Sequence, residues 1–163
     1  MNIFILDNEI EKCARAHVDK HICKMVLESA QLLCTAVNYY AGEQVTPYKS
    51  SHVNHPCAIW VRESLHNFRY LVDLMDALNK EYLFRYNKEI NHKSFDALIN
   101  ADIDSLGMLY YPPCPGYITP LAICIPEEYK VDGDAVQSYR NYYNGAKSDL
   151  HKWTNRDKPE WIL

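Results

Sequence analysis

The sequence predicts a mainly α fold: a compact single-domain helical bundle over residues 1–163, with two long helices and room for a minor two-stranded β element. Three observations carry that expectation. Apolar residues recur at helical spacing over two long stretches. Residues that start and stop helices bracket those stretches. A chain of 163 residues, 48% hydrophobic and 23% charged, is long enough to bury one core of ordinary size.

The elements follow in chain order. Asn2 to Leu6 reads as a short strand. Asp7 or Asn8 then caps a brief helix to about Ala16, with Glu9 and Glu11 in the first turn, where the helix dipole favours them. Asp19 is placed to cap a second, long helix that runs to about Tyr40 and stops near Gly42. A loop from Gly42 to His55 contains Pro47. Pro56 suits the first position of a third helix reaching Tyr86, with Ala58, Val61, Leu65, Phe68, Met75, Leu78 and Tyr82 on its apolar side. Ser94 caps a short helix through Ala101. Asp102 to Pro126 is expected as a packed loop, with Leu121 to Ile125 as a strand beside the N-terminal one. A final helix runs from Asp134 to Lys152, and the tail from Asn155 lays Trp161 back on the body.

Composition narrows the function classes. Net charge is −4, so the chain lacks the excess of Lys and Arg by which duplex-binding proteins grip phosphates; a compact anionic ligand fits better. No apolar run approaches the roughly 18 to 20 residues that span a bilayer, and Met1 to Asp7 has no basic leader, so no membrane partner is expected. Six scattered cysteines read as reduced, buried thiols of a cytoplasmic protein, in the host cytoplasm if a phage encodes it. Thirteen tyrosines are either packing and hydrogen-bond filler or platforms for stacking bases. Oligomers remain open; no stretch marks an interface.

The feature that most points to function lies on the second helix. At about 100° per residue, His21, Lys24, Glu28, Gln31 and Thr35 share one narrow sector, while Met25, Val26, Ala30, Leu32, Leu33, Ala36 and Val37 fill a broad apolar arc. A helix apolar over most of its girth is normally buried, so its polar stripe is expected to face a cavity. The plainer alternative is a solvated face with weak i, i+4 ion pairs. A second cluster, Tyr48-Lys49-x-x-His52-x-Asn54-His55-Pro56, precedes the third helix. There His55 and the unpaired N–H groups of the helix start make an anion site, or else only a cap. Arg62 and Glu63 sit further along that helix. Tyr139-Arg140-x-Tyr142-Tyr143-x-Gly145-x-Lys147 mixes aromatics and cations able to sandwich a base, or to form a core-facing stripe. Glu81, Arg85 and Tyr86 leave the same choice open.

Metal ligation competes at His17 and His21, four apart, and at His52, His55 and Cys57. Lys20 and Lys24 oppose a dication at the first pair, and no finger or knuckle spacing occurs, so neither a metal nor another cofactor is expected. No G-x-S-x-G elbow and no phosphate-binding glycine loop is present; glycine occurs five times.

At these motifs the chain resembles a family of small, mostly uncharacterised bacteriophage proteins. The shared segments are Asn-Ile-Phe-x-Leu-Asp at Asn2 to Asp7 and Asp-Lys-His-x-x-Lys-Met-x-x-Glu at Asp19 to Glu28. Further ones are Tyr48-Lys49, Asn54 to Pro56, Glu81 to Tyr86, Tyr139 to Tyr143, and Trp153 to Trp161. A fainter resemblance reaches the pyrimidine-dimer DNA glycosylases of the endonuclease V type, through the Asp-x-His-x6-Glu helix that Asp19, His21 and Glu28 reproduce. That resemblance implies a catalytic carboxylate at Glu28 and substrate contact by His21. Two departures qualify it. Those enzymes attack with the amine of an N-terminal threonine, where this chain has Met1-Asn2, and they carry an Arg where this chain has Leu27. Base excision by activated water survives such changes; Schiff-base strand cleavage does not.

The sequence therefore yields one expected site and two expected uses. Glu28 and His21 form its catalytic pair. His17, Lys20 and Lys24 line the ligand side with Lys49, His52, Asn54 and His55, and Arg62, Arg85, Arg140 and Tyr143 complete it. The ligand is a phosphate-bearing nucleotide or short nucleic acid. It is either cleaved at the N-glycosidic bond of a damaged or modified pyrimidine, or sequestered without turnover, as a counter-defence protein would hold a cyclic or signalling nucleotide. A purely structural role for both clusters is the third reading.

Overall fold

A computed structural model describes residues 1–163 and contains seven α-helices and no strand. They are α1 (Ile10–Ala16), α2 (Asp19–Ala41), α3 (Pro56–Glu63), α4 (Leu65–Tyr86), α5 (Lys93–Asn100), α6 (Ile103–Tyr110) and α7 (Ala135–Asn144). Short 3-10 turns lie at Glu127–Tyr129 and Ser148–Leu150. The mainly α single-domain bundle is thus as the sequence predicts.

Helix α2 is the axis of the bundle. Its arc of Ile22, Met25, Val26, Ala30, Leu32, Leu33, Ala36 and Val37 is buried against α4, with α3, α5 and α6 packed around it and α1 laid on α4. Gly42, in the left-handed region at φ +75°, ends α2 by donating its N–H to Asn38 O. Asp19 is the first residue of the helix rather than its cap, and its carboxylate is spent on tertiary contacts instead.

The long helix expected from Pro56 to Tyr86 is two helices. Ser64 is extended (φ −151°, ψ 141°); its hydroxyl accepts from His66 N, capping α4, and lies 2.8 Å from Tyr117 O. The break strands the last carbonyls of α3, and three side chains claim them: Asn67 on Trp60 O, Tyr111 on Val61 O and Tyr40 on Arg62 O. The apolar period runs unbroken through Ser64, which hides the kink from a reading of periodicity.

Other boundaries also shift for local reasons. The stretch expected as a loop after Asp102 contains α6, capped by Asp102 through Ser105 N; its Gly107 lets α6 approach Phe68, whose ring would meet a Cβ at 2.6 Å. His92, not Ser94, caps α5. Helix α7 starts at its Asp134 cap as expected but stops at Gly145, against which the Tyr129 ring lies too closely for any Cβ. The two expected strands do not form. Asn2 does reach the second segment, donating Nδ2–H to Cys124 O, but side chains occupy the backbone groups a ladder needs. Glu28 takes Asn2 N–H, Cys13 Sγ takes Leu6 N–H and Arg140 takes Leu6 O. No helix is long and apolar enough to cross a membrane.

The C-terminal end of α1 and the start of α2 are held by Arg85 of α4, which is fully buried. Its guanidinium donates to Glu81 Oε1 at 2.7 Å, Asp19 Oδ1 at 3.1 Å, His17 O at 2.7 Å and Arg15 O at 2.6 Å. Arg156 adds a two-toothed pair to Glu81, and Thr154 donates twice to Asp19. Burial alone raises both carboxyl pKa values, but these donors outweigh it and hold Asp19 and Glu81 below the ordinary range. Removing one partner of such a buried array leaves charges and carbonyls uncompensated. Arg85→Met is therefore expected to cost about 3–5 kcal/mol in urea unfolding. Lys80→Met, which breaks only the exposed pair with Asp76, should change stability by less than about 1 kcal/mol. Equal losses from the two variants would contradict this account.

Candidate functional site

The polar stripe of α2 divides into segments with different fates. Near its start, His21 is 5% exposed, with its ring stacked on Phe4 at 4.7 Å and Nδ1 2.6 Å from the Tyr143 hydroxyl. His17 is buried beside it, Nδ1 on Cys13 O, with Nε2 lacking any partner. Burial lowers the imidazole pKa values to about 4 for His17 and about 3 for His21, helped at His21 by the charges of His17, Lys147 and Lys24. Near its end, Thr35 hydrogen-bonds Ser51, and Asn38 binds Val45, Thr46 and Tyr48, pinning the Gly42-to-His55 loop along the helix.

Between these ends stands Glu28. Its carboxylate is 13% exposed; Oε2 accepts Asn2 N–H at 3.1 Å and lies 3.9 Å from the Met1 amine, and Oε1 lies 3.4 Å from Lys24 Nζ. Lys24 is 63% exposed, so this pair is worth little to stability and leaves a cation free to meet a ligand. The loop before α3 arrives at the same place. His55 caps α3 by accepting Cys57 N–H at 3.2 Å, and Pro56 occupies the first position. Its pKa is lowered by burial, then by the Met1 amine and His52, while the Glu28 charge pulls the other way. Two stretches far apart in sequence thus meet around Glu28 and His55; Lys49, His52 and Asn54 are exposed along the loop, whose Tyr48 and Ser51 lie against Asn38 and Thr35 of α2.

The structure does not bring the remaining expected ligand residues to this junction, apart from Lys20, which is exposed on the same helix. Arg85 is enclosed in the network above. Arg62 donates to Val53 O and lies over Tyr39, securing the loop from behind. Arg140 pairs with Asp7 and covers Trp161. Tyr143 is fully buried against His21. His17 and His21 likewise belong to an aromatic core with Phe4, so His21 is not placed to touch a substrate with its Nδ1 face. Nor is the junction an enclosed pocket. The largest groove, about 810 Å³, lies between Tyr48, Tyr82 and the Asn87–Ser94 turn, and none of the five principal cavities is lined by Glu28.

Sequence reasoning gives no site role to two neighbours of this junction, Asn2 and Cys124, and weighs Cys57 only as a metal ligand. Asn2 bridges Glu28 and Tyr139, whose hydroxyl donates to Asn2 Oδ1 at 2.7 Å. Cys57 is buried, and Cys124 lies 3.7 Å from it sulfur to sulfur. Burial and the Cys124 sulfur push the Cys57 thiol up to about 12. The Asn-Ile-Phe start was the one available signal; Cys124 carried none.

Compared with models of protein families, with curated proteins and with solved structures, the chain gives no match.

The two buried imidazoles generate a pH dependence. Their folded pKa values lie below the ordinary 6.5, so the unfolded chain binds more protons in between. Stability is complete above the unfolded value and is lost as pH falls below it. Between pH ~6.5 and ~5, above the carboxylate range, each imidazole should contribute a slope of up to about 1.4 kcal/mol per pH unit. Urea midpoints across that window are expected to fall with acid, and His17→Gln to reduce the slope by up to about 1.4 kcal/mol per pH unit. A flat profile for the unmodified protein would contradict the buried, neutral assignment.

Proposed function

We propose that the junction of Glu28, Lys24 and the Lys49-to-His55 loop binds a phosphate-bearing nucleotide or nucleic-acid fragment. Lys20, Lys24, Lys49, His52 and Asn54 present their donors to phosphate, and the Glu28 carboxylate sits against the sugar. The observation that carries this reading is Glu28 itself: a carboxylate mostly shielded from solvent, paired with the exposed Lys24, where α2, the N-terminal segment and the start of α3 converge. A net charge of −4 favours a short ligand over a long duplex.

In the catalytic form, Glu28 stabilises positive charge developing on the sugar as the bond from anomeric carbon to base breaks. Water adds to that carbon and loses a proton, and the base leaves protonated. The products are free base and an abasic sugar. His21 has no direct part; its stack on Phe4 positions the start of α2. The motif resemblance of Asp19, His21 and Glu28 to pyrimidine-dimer glycosylases supports this form.

A second reading, sequestration of a small cyclic or signalling nucleotide without turnover, has its own support. Glu28 is already occupied by Asn2 N–H, Lys24 and the Met1 amine, which makes it a fixed wall of the site rather than a free base.

The two separate cleanly. Under the catalytic reading, Glu28→Gln abolishes base release from a lesion-bearing oligonucleotide while binding persists. Under sequestration, free nucleotides raise the melting temperature without turnover. With ligand about a hundredfold above Kd, the stabilisation should be near 2.7 kcal/mol. Lys24→Ala or Lys49→Ala should remove it. Neither base release nor any thermal shift across nucleotides, cyclic dinucleotides and short single strands would defeat both.

A further inference from the structure

The fold assembles a second group of reactive side chains, in which two cysteines unused by the nucleotide reading join His55. His55, Cys57 and Cys124 each present one ligand atom, all within 4.8 Å of one another. The two sulfurs are 3.7 Å apart. With Zn–S bonds near 2.3 Å, two thiolates on one tetrahedral zinc stand about 3.8 Å apart. The metal-free spacing already matches that edge, and the imidazole needs only a small adjustment to close the third.

The supports are firm. Cys57 is the second residue of α3, directly after Pro56, and is fully buried. Cys124 is held through both backbone groups: its N–H donates to the Tyr139 hydroxyl at 3.4 Å, and its carbonyl accepts from Asn2 Nδ2 at 2.9 Å. Cys124 and His55 are half-buried, which leaves a route of entry. Around the sulfurs stand oxygen acceptors, Asn2 Oδ1 at 3.6 Å from Cys57 Sγ and Ala122 O at 4.0 and 3.7 Å from the two sulfurs. In the absence of a cation these share the thiol protons weakly.

We propose that His55, Cys57 and Cys124 form a binding site for one thiophilic dication, of which Zn²⁺ is the best fit. Two thiolates and an imidazole are the soft ligand set that zinc prefers, and the two negative charges neutralise the ion. On binding, two S–H bonds break, two metal–sulfur bonds form and two protons pass to solvent; no oxidant or reductant is required. Three protein ligands leave the fourth tetrahedral position to water. The lysines that oppose a cation on α2 point from its exposed face, whereas the local charges here are mixed, the Met1 amine and His52 against Glu28. This site shares His55 with the nucleotide junction but rests on its own observation, the three converging ligand atoms.

The test uses the reduced, chelator-treated protein titrated with Co²⁺ and then Zn²⁺. Binding of one Co²⁺ per chain is expected to produce a thiolate-to-cobalt charge-transfer band and intense tetrahedral visible bands, both erased by stoichiometric Zn²⁺. Thiol counting on the unmodified protein should find two of its six cysteines protected by Zn²⁺, a readout that needs no variant to fold. Cys124→Ser should lose the charge-transfer band and weaken Zn²⁺ binding by more than about a hundredfold, beyond what a supporting residue costs, whereas Cys23→Ser should leave both unchanged. Absence of the thiolate band, its persistence in Cys124→Ser, or a Cys57–Cys124 disulfide forming in place of metal uptake would each overturn the proposal.

Discussion

One buried guanidinium fixes the geometry on which the rest of the molecule depends. Arg85 reaches from α4 into the corner between α1 and α2 and there finds two carboxylates and two backbone carbonyls. A helix that ends inside a protein leaves carbonyls in need of donors, and α1 is only seven residues long. Its last carbonyls are met in turn by His17 Nδ1 on Cys13, Trp153 Nε1 on Ala16 and Arg85 on Arg15. Cationic and N–H donors at a helix C-terminus also match the sign of its dipole. The same corner brings in the tail through Thr154 and Arg156, so four separate segments share one electrostatic knot.

With that corner fixed, α2 runs through the middle of the bundle and distributes its polar side chains among the segments around it. Asp19 answers the tail, His21 answers α7, Glu28 answers the N-terminal segment, and Thr35 and Asn38 answer the loop. Most of the stripe is therefore consumed by architecture. Glu28 differs because its partners are a backbone N–H, a terminal amine and an exposed lysine, and because the start of α3 comes to rest beside it. Charged groups concentrate there for a topological reason: three chain segments meet over a carboxylate that none of them fully covers.

The fold class and the two longest elements could be read from sequence because both rest on local signals. The apolar period of α2, the Gly42 stop, the Pro56 start and the Asp134 cap all act within a few residues. What escaped notice was decided at longer range. Ser64 breaks an uninterrupted period because tertiary partners, Tyr40, Tyr111 and Asn67, wait for the freed carbonyls. Helix α6 hid in a stretch rich in Pro and Tyr. The strands failed because Glu28, Cys13 and Arg140 claim their backbone groups first. At the site, Glu28, Lys24 and His55 could be picked out by type and spacing. Arg62, Arg85, Arg140, Tyr143 and the two early histidines were the right types for binding, yet the bundle uses them for its own cohesion. Cys124 lies 67 residues from Cys57, and no spacing rule connects them.

The many attachments along α2 make the helix intolerant of any change in its phase. Adding or deleting a single residue between His21 and Glu28 would rotate everything beyond it by about 100°. Such a rotation would misalign Glu28, Thr35 and Asn38 from their partners together, while carrying apolar side chains to the outside. Lineages of this protein should therefore vary freely in the length of their surface turns, yet preserve the count of residues from Asp19 to Gly42 even where the residues themselves drift.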